Sequence, residues 1–392
     1  MIYIGIDVAK NKHDCCIINS DGVILNDSLR ISNSRQGYEL LYSTIRSILP
    51  DQDISNVKIG LESTGHYSTN IQNFLYAKGF KLSILNPLAT NLFRKAQTLR
   101  KTKTDKTDAL VIAKMLFSDE TKSYSSVSYQ IQELKSLTRH RYRLIGYRSK
   151  LKISIARLID IIFPELPDLV WSIHQASSYC LLSELPSPRD ISTCHLTKLT
   201  NILSKASKGK YGKDKAITIK DAASNSIGTS ARSLSFELQQ SIRLVHSVQS
   251  EIEALDNQIR EVVDELNSPI MSIPGISYTL AAIILAEIGN IERFTAPAKL
   301  LAFAGLEPST YQSGKYNASH TPMVKRGSTY LRWAILTASR TVSMRDATFS
   351  TYLSKKQLEG KHYYIAMSHV AKKLIRVIFY LLKTNTAFVP QM

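Results

Sequence analysis

The feature that most constrains the fold is a change in the spacing of apolar residues near position 127. Before that position, short apolar runs alternate with stretches of helical spacing, whereas after it apolar residues recur every three or four positions over long stretches. The first pattern is typical of a sheet flanked by helices, and the second of long packed helices. The chain is therefore predicted to be α/β followed by all-α, and its 392 residues favour two or three domains.

The first 120 residues predict a mixed sheet with flanking helices. Three strands come first, in the runs IYIGID, HDCCIIN and GVILNDSLRI. The run SRQGYELLYSTIRSILP then has helical spacing, and Pro50 ends it. Two more strands are predicted in VKIGLES and KLSILNP, with a helix between them that Gly79 closes.

Two apolar stripes predict long helices after the change of spacing. The first stripe runs from Leu134 to Ile162 and the second from Val245 to Leu266. Each fits a coiled-coil seam or the buried face of a packed helix, and the two helices pair either within one chain or between chains. Shorter helical pieces are predicted between them, at residues 164 to 232. In the region from residue 267 onward, the run IPGISYTLAAIILAEIG, which begins at Ile273, resembles a helix-hairpin-helix element, whose turn amides can hold a phosphate.

The charge of the chain points to a polyanionic partner. Lys and Arg number 50 against 32 Asp and Glu, a net charge of +18, and nucleic acid is the leading candidate because neutralised phosphates release condensed counterions. MIYIGIDVAK lacks the layout of a signal peptide, and no uncharged apolar stretch reaches about 18 residues, so we expect a cytoplasmic protein without a membrane partner. The four cysteines form no zinc-binding spacing and are predicted to be buried, reduced thiols.

Four carboxylates stand at positions where they can meet. Asp7 closes the first strand, Glu62 ends the strand KIGLE, and Asp105 and Asp108 share one face of a helix. Clustered hard oxygen ligands suit Mg²⁺, and two such ions about 4 Å apart can clamp the attacking and leaving oxygens of a phosphodiester. In the alternative interpretation, Thr104 or Asp105 caps the helix and both aspartates interact with its dipole.

Seven motifs resemble, in order and spacing, the DEDD transposases of the insertion-sequence one-ten family, recombinases guided by a structured bridge RNA. The resemblance covers residues 1 to 120 and 267 to 345 and is looser between them, where residues 164 to 232 are longer than in the shorter members. The motifs are YIGIDVAK, LESTGHY, LNP, KTDKTDA, IPGIS, FAGLEPSTYQSG and KRGSTYLR.

The resemblance implies a domain order and a metal site. It implies a ribonuclease H-like DEDD domain at residues 1–122, a helical coiled-coil region with inserted short helices at 123–266, and a helical transposase domain at 267–392. It assigns the DEDD set, with two Mg²⁺ ions, to Asp7, Glu62, Asp105 and Asp108.

The resemblance also implies a serine nucleophile, Ser313, which precedes Gly314. Ser313 would attack a DNA phosphate to give a phosphoserine and a free hydroxyl, in a composite site between subunits of a homo-oligomer, a dimer to a tetramer. From the residues alone Ser313 is weakly indicated, because serine before glycine in a polar loop is ordinary turn chemistry. Activation would come from metal polarisation of the phosphate and from nearby cations.

Donor DNA, target DNA and a structured guide RNA are the expected partners, in the cytoplasm or nucleoid of a bacterial or archaeal cell. Tyr67 and Tyr311 either stack on bases or belong to the core. The cations expected to contact nucleic acid lie near the acids, on the first long helix and near the serine. They are Lys10, Lys12, Lys101, Lys103, Lys106, Arg139, Arg141, Arg143, Arg148, Lys315, Lys325 and Arg326.

Three other functions are weighed against the transposase. A metal-dependent nuclease or Holliday-junction resolvase would use water as its nucleophile and would not need Ser313. An actin-like sugar kinase also opens with IGID, but DVAK lacks the glycines of its phosphate loop. A non-catalytic nucleic-acid-binding protein would leave strands intact even with Mg²⁺ present.

Overall fold

A computed structural model describes residues 1–49, 53–62, 65–85, 87–97, 104–116, 123–124, 129–309, 312–313, 316–317 and 322–390. The chain divides into two compact units. The first comprises Met1–Ser128 with Asn290–Thr295, and the second comprises Tyr129–Gly289 with Ala296–Met392. The change of apolar spacing near residue 127 thus lies at the boundary between them, while separate coiled-coil and transposase domains stay predictions.

The first unit contains a six-stranded mixed sheet. Its strands are β1 (Ile2–Val8), β2 (Lys12–Asn19), β3 (Ile24–Ser32), β4 (Val57–Glu62), β5 (Lys81–Leu85) and β6 (Ser123–Tyr124). The strand order is β3-β2-β1-β4-β5-β6, so β1 lies inside the sheet. It is antiparallel to β2 and parallel to β4, and β4 is parallel to β5. The five strands predicted from the sequence are confirmed.

Helices cover both faces of this sheet. They are α1 (Arg35–Ile48), α2 (Thr69–Ala77), α3 (Pro87–Gln97) and α4 (Asp105–Met115). The larger apolar cluster joins Ile4 and Ile6 of β1 with Leu41 of α1 and Leu75 of α2. A smaller cluster on the other face contains Ala109 and Ala113 of α4. The helices predicted at SRQGYELLYSTIRSILP and before Gly79 are confirmed, and Pro50 lies outside the described residues.

The second unit is almost entirely helical. Its longest helices pack against each other within the chain, which confirms the two long helices predicted from the apolar stripes. The helices are α5 (Tyr129–Ile162), α6 (Leu166–Leu169), α7 (Ala176–Glu184), α8 (Pro188–Thr193), α9 (Leu196–Ser207), α10 (Lys213–Ser224), α11 (Arg232–Leu266), α12 (Tyr278–Ile288), α13 (Pro297–Phe303), α14 (Thr329–Arg345), α15 (Ala347–Leu358) and α16 (Tyr363–Thr384).

The short helices α6 to α10 occupy the long middle region and pack around one apolar cluster together with α5 and α11. Phe163, Leu182, Leu199 and Ile219 are fully or almost fully buried in an apolar cluster that also includes Leu238 of α11. This region is therefore a folded insertion between α5 and α11. The predicted short helical pieces are confirmed.

The predicted Pro-Gly turn precedes α12. Gly275 has a φ of +96°, and a Cβ there would lie 2.7 Å from the carbonyl oxygen of Thr341 in α14. Only glycine fits so close to a neighbouring backbone at this dihedral angle. Phosphate binding by this turn stays a prediction.

The four cysteines were predicted to be buried, reduced thiols. All four cysteines are free, and Cys15, Cys16 and Cys194 are buried as predicted, whereas Cys180 is only partly buried, so the prediction of burial is wrong for that residue. Burial raises the pKa of Cys16 to about 11, so this thiol stays protonated near neutral pH.

No helix in the described part of the chain is long and apolar enough to cross a membrane.

Candidate active site at the carboxyl ends of β1 and β4

Two glycines allow α4 to lie directly on the sheet. A Cβ at Gly5 of β1 would lie 2.1 Å from the carbonyl oxygen of Ala109, and one at Gly60 of β4 would lie 3.0 Å from the side chain of Leu116. The helix backbone therefore fits over β1 only because position 5 has no side chain. The face that α4 covers is the face of Gly5 and Gly60.

Asp7 and Glu62 belong to the same face. Each follows its glycine by two positions, and side chains alternate along a strand. Ile6 pairs with Leu61 in the parallel register, so Asp7 and Glu62 are the next residues along strands about 4.8 Å apart. Both are partly exposed. The strand-end positions predicted for these two acids are confirmed.

Asp108 comes from the first turn of α4. The helix begins with a capping box in which Thr104 accepts a hydrogen bond from the N–H of Thr107, and the Thr107 hydroxyl accepts one from the N–H of Thr104. Thr104, rather than an aspartate, therefore caps the helix, as one of the alternatives required. Asp105 is the first residue of α4, and its side chain lies outside what the structure describes.

Glu62 and Asp108 line one cavity of about 320 Å³. Three residues of α3 complete its polar wall. The Thr90 hydroxyl donates to Glu62 Oε1 at 3.1 Å, and Arg94 donates to Asp108 Oδ1 at 3.0 Å. The second terminal nitrogen of Arg94 donates to Asn91 Oδ1 at 2.9 Å. These contacts hold both carboxylates on the cavity wall.

The α3 residues were not predicted from the sequence. The run LNPLATNLFRKAQ places Thr90 and Arg94 four positions apart, hence on one face of a helix that starts just after the end of β5. That spacing, directly after a strand of the same sheet, is the signal that identifies them. Arg94 is a cation inside the carboxylate site, and any metal bound to Asp108 would compete with it for the same oxygen.

The donor chemistry of the site fits a divalent cation, because the acids offer hard oxygen ligands from adjacent strands and one helix. Among the residues that the structure describes, no three His, Cys, Asp or Glu side chains are grouped closely enough to hold a metal. Glu62 and Asp108 share the cavity, Asp7 lies on the adjacent strand, and the Asp105 side chain is not described. The site as described is thus a part of the predicted four-carboxylate set.

A further buried acid lies beside Asp7 on the neighbouring strand. Asp14 of β2 pairs with Asp7 in the antiparallel register and is 5% exposed. Arg30 donates to it at 3.0 Å, and the ammonium of Lys12 lies 4.0 Å away. Because two acids share a register position here, these cations offset part of their repulsion. Sequence reasoning missed Asp14, since HDCCIIN was interpreted only as a strand.

The cations predicted near the acids occupy several environments. Lys10 lies exposed in the turn after β1, where its carbonyl oxygen accepts a hydrogen bond from Asn33. Lys106 pairs with Asp27. Lys101 and Lys103 lie outside the described residues. Nucleic-acid contacts by these lysines stay predictions.

The arginines of α5 have partners within the second unit. Arg139 donates to both carboxylate oxygens of Glu287, at 2.8 and 3.1 Å. Arg141 likewise donates to both carboxylate oxygens of Asp256 in α11, at 2.6 and 3.0 Å. Arg148 donates a hydrogen bond to Gln249. Arg143 is exposed beside His140. Three of the four arginines therefore contribute to helix packing, whatever else they bind.

Glu287 is the centre of a buried polar network. Its side chain is 2% exposed, and the hydroxyl of Ser328, which caps α14, also donates to it at 2.8 Å. Burial acts to raise the pKa of Glu287, but the hydrogen bonds from Arg139 and Ser328 hold it below the usual value. Sequence reasoning missed Glu287, which stands in the otherwise apolar run TLAAIILAEI.

Ser313 lies in a short hairpin of the second unit. Gln312–Ser313 forms strand β7 and pairs with β8 (Tyr316–Asn317), and none of these side chains is described. The backbone at the base of the hairpin is held by hydrogen bonds from Ser309 N to Pro322 O and from Val324 N to Glu307 O. Gly314, Lys315 and Tyr311 lie outside the described residues.

Lys325 and Arg326 follow the hairpin directly. Lys325 adopts a φ of +56°, and its carbonyl oxygen accepts a hydrogen bond from Arg332 at 3.0 Å. Arg326 is exposed. Phosphate contacts by both residues stay predictions. Tyr67, in contrast, packs against the core of the first unit, as the core alternative requires.

Two family models match the chain. A transposase model of the DEDD IS110 type matches residues 4–164, and the model described as Transposase IS116/IS110/IS902 family matches residues 267–354. The chain is 25% identical over 403 residues to the 44.8 kDa protein of insertion element IS116 from Streptomyces clavuligerus, covering 99% of this chain and 96% of the relative. It is also 25% identical over 393 residues to the pilin gene-inverting protein of Moraxella lacunata, covering 98% and 97%.

Proposed function

Because the chain belongs to the IS110 family of DNA transposases, we propose that it cuts and rejoins DNA with a carboxylate-bound metal and the hydroxyl of Ser313. The observation that carries the proposal is the shared cavity of Glu62 and Asp108. These residues are far apart in the sequence, yet both line one cavity beside β1, which carries Asp7 near its end.

The first unit is proposed to be a ribonuclease H-like domain. The order β3-β2-β1-β4-β5, with three antiparallel strands followed by parallel ones, supports this assignment. The carboxyl ends of β1 and β4 supply Asp7 and Glu62, and α4 supplies Asp108 from the face that covers those strands. This arrangement brings acids from three elements to one edge of the sheet.

The metal is proposed to be divalent, with two Mg²⁺ ions held by the four carboxylates of Asp7, Glu62, Asp105 and Asp108. A DEDD transposase family suggests a divalent cofactor without identifying it. When bound, such a metal supplies Lewis-acid stabilisation of the charge on a phosphate. The protein contributes orientation, since Thr90 holds Glu62 and Arg94 holds Asp108 before DNA arrives.

Ser313 is proposed to be the nucleophile. Its hydroxyl oxygen forms a bond to the DNA phosphorus while one P–O bond of the phosphodiester breaks. The hydroxyl loses its proton, and the departing DNA oxygen gains one and becomes a free hydroxyl. Reversal of these steps with a different DNA hydroxyl rejoins the strand and releases the serine. The hairpin anchored at Ser309 and Val324 supports a defined position for this residue.

A structured guide RNA is proposed as a second nucleic-acid partner. The net charge of +18 supports binding of more than one phosphate backbone. A homo-oligomer is proposed as the active form, since strand exchange requires at least two cutting centres. The name of the Moraxella lacunata relative, a gene-inverting protein, agrees with a reaction that both cuts and rejoins.

A metal-dependent nuclease that uses water is the second candidate function. The carboxylate cavity favours it, because Glu62, Asp108 and a metal suffice for hydrolysis without any serine. The two candidates differ in one product. Only the serine mechanism leaves DNA covalently attached to the protein.

Covalent capture distinguishes these mechanisms. The protein is incubated with Mg²⁺, RNA transcribed from the flanks of its own element and end-labelled DNA, and the mixture is then denatured and separated. We expect label on the polypeptide for the unaltered chain, none for Ser313→Ala, and undiminished label for Ser309→Ala, a serine at the base of the same hairpin. DNA cleavage by Ser313→Ala at the unaltered rate would establish the hydrolytic reaction instead.

A further inference from the structure

The last helical hairpin of the second unit carries an unusual excess of positive charge. Residues 347 to 384, which form α15, its connection and α16, contain a single acid, Glu359. The same stretch contains Lys355, Lys356, Lys361, Lys372, Lys373, Arg376 and Lys383. Neither the carboxylate site nor Ser313 uses these residues.

Several of these cations converge around His369, which is half-buried on α16. Burial lowers the pKa of His369, and the charges of Lys372, Lys356 and Lys361 lower it further. Arg376 lies one turn beyond Lys372 on the same face of the helix. We call Lys356, Lys361, His369, Lys372 and Arg376 the α15–α16 patch.

Glu359, the single acid of this stretch, pairs with Lys356. Glu359 accepts hydrogen bonds from Lys356 at 2.8 and 2.9 Å. The ring of Tyr352 has the ammonium of Lys356 at 5.5 Å and that of Lys373 at 4.9 Å from its centroid. Two ammonium groups that repel each other therefore lie near the same aromatic ring. A polyanion bound to the patch would offset the charge of Lys356, one of these two cations.

Exposed aromatic rings lie at the end of the same hairpin. Tyr364 is 75% exposed, and its ring contacts those of His362 and Tyr363 with centroids 5.5 Å apart in both pairs. Proteins commonly hold single-stranded nucleic acid with cations that meet the backbone phosphates and exposed rings on which unpaired bases stack.

We propose that the α15–α16 patch binds the phosphate backbone of a nucleic-acid strand, and that Tyr364 stacks on one of its unpaired bases. The transposase family makes nucleic acid the expected polyanion, and the charge and the exposed ring select its single-stranded form. The inference does not depend on the metal site or on Ser313. It is tested by binding alone, with divalent metal removed by a chelator.

The test measures fluorescence anisotropy of the full chain with three labelled probes. The probes are single-stranded DNA, RNA of the same sequence and the DNA duplex. The patch variant is Lys361→Gln/Lys372→Gln/Arg376→Gln, in which glutamine keeps much of the buried aliphatic stem. Arg189→Gln/Lys198→Gln/Arg243→Gln removes the same charge from exposed positions on α8, α9 and α11 and is the matched control. Thermal unfolding verifies that both triple variants fold.

The patch variant is expected to bind single strands about tenfold more weakly at ~0.1 M salt, and its slope of log affinity against log salt should shrink by about 2. The control should remain within about twofold of the unaltered chain. Equal losses in the two triple variants would overturn the proposal, because net charge alone would then explain binding. The DNA and RNA arms identify which nucleic acid occupies the patch.

Tyr364→Ala tests the stacking contact separately. It is expected to weaken single-strand binding about tenfold and to leave duplex binding unchanged, since stacked duplex bases are not accessible to the ring. Phe236→Ala, at an aromatic side chain of α11 that is 57% exposed, should change neither. Unaltered single-strand binding by Tyr364→Ala would refute the role assigned to this ring.

Discussion

An arginine meets a carboxylate in each of the two units, in surroundings that differ. Arg139 holds Glu287 with two nitrogens, and the carboxylate is 2% exposed and also bound by a helix cap. Arg94 reaches Asp108 with one nitrogen, on the wall of a cavity that Glu62 also lines. The first pair is buried between helices, whereas the second leaves part of the Asp108 carboxylate facing a cavity that a ligand can enter.

We expect the first pair to stabilise the fold and the second to serve the proposed reaction. A buried carboxylate without its partners is costly, so Glu287 is expected to matter for folding. Asp108 lies in the first turn of a helix on the wall of a cavity, and we expect its loss to affect the proposed reaction more than folding. Both residues are acids paired with arginine, and only their surroundings distinguish them.

The largest effect is expected for Asp108→Asn. Recombination should fall on the order of 10³-fold or more, because a lost metal ligand removes several kcal/mol of transition-state stabilisation. The free energy of unfolding should change by about 1 to 2 kcal/mol, because the Asp108 side chain is 15% exposed and asparagine still offers Arg94 one acceptor oxygen. Recombination assays and denaturant unfolding measure the two quantities.

Asp27→Asn is the matched control for this change. Asp27 is an exposed acid of the same unit, and it pairs with Lys106. Its substitution should leave recombination nearly unchanged. A comparable loss in both variants would mean that general charge, rather than the carboxylate site, sets the rate.

Glu287→Ala should have the largest effect on stability. Removing this carboxylate leaves Arg139 and the Ser328 hydroxyl without their partner, and we expect a loss of about 3 kcal/mol, at the low end for buried pairs because Arg139 is 38% exposed. Denaturant unfolding gives the value. Glu261→Ala, at an exposed position of α11, should cost less than about 0.5 kcal/mol, and similar costs at both positions would remove the distinction drawn here.

The pH dependence of stability provides a third comparison. Despite its burial, Glu287 has a lowered pKa in the folded protein because of Arg139 and Ser328. Its stabilising contribution is therefore fully present above the ordinary glutamate pKa of about 4.3 and is lost as pH falls through the lower, folded value. Glu287→Gln should show a smaller decline in melting temperature below about pH 4.5 than the unaltered chain, and identical declines would contradict this assignment.

The smallest effects are expected at the two helix caps. Thr104 caps α4 by bonds within its own turn, whereas Ser328 caps α14 and also donates to Glu287. Thr104→Ala should cost about 1 kcal/mol and Ser328→Ala about 2, because the second change also leaves a buried acceptor with one donor fewer. Equal costs would show that the bond to Glu287 contributes little.

Much of the fold follows from local patterns in the sequence. The strands of the first unit, the ends of β1 and β4 at Asp7 and Glu62, and both long helices are as predicted, because alternation and 3,4 spacing report directly on burial. The cavity residues Thr90 and Arg94 were not predicted. Their role arises from contact with acids that are distant in the chain, which no local pattern records.

The same limit applies to Asp14 and Glu287. Each stands in an apolar run and has no feature of its own that distinguishes it from a solvent-facing acid. The spacing of the acids supplied the candidate Asp105 and the resemblance of motifs supplied Ser313, and the side chains of both lie outside what the structure describes. Both therefore stay predictions for the capture and recombination experiments.

By itself, the sequence determined the two kinds of architecture, the positive charge and the strand and helix positions of the four acids. Tertiary structure alone decided that Glu62 and Asp108 share a cavity with Arg94, and that Glu287 is buried under Arg139. The physical reason is that periodicity is a property of neighbouring residues, whereas a cavity, a buried ion pair and a convergence of cations depend on distances between segments that only folding sets.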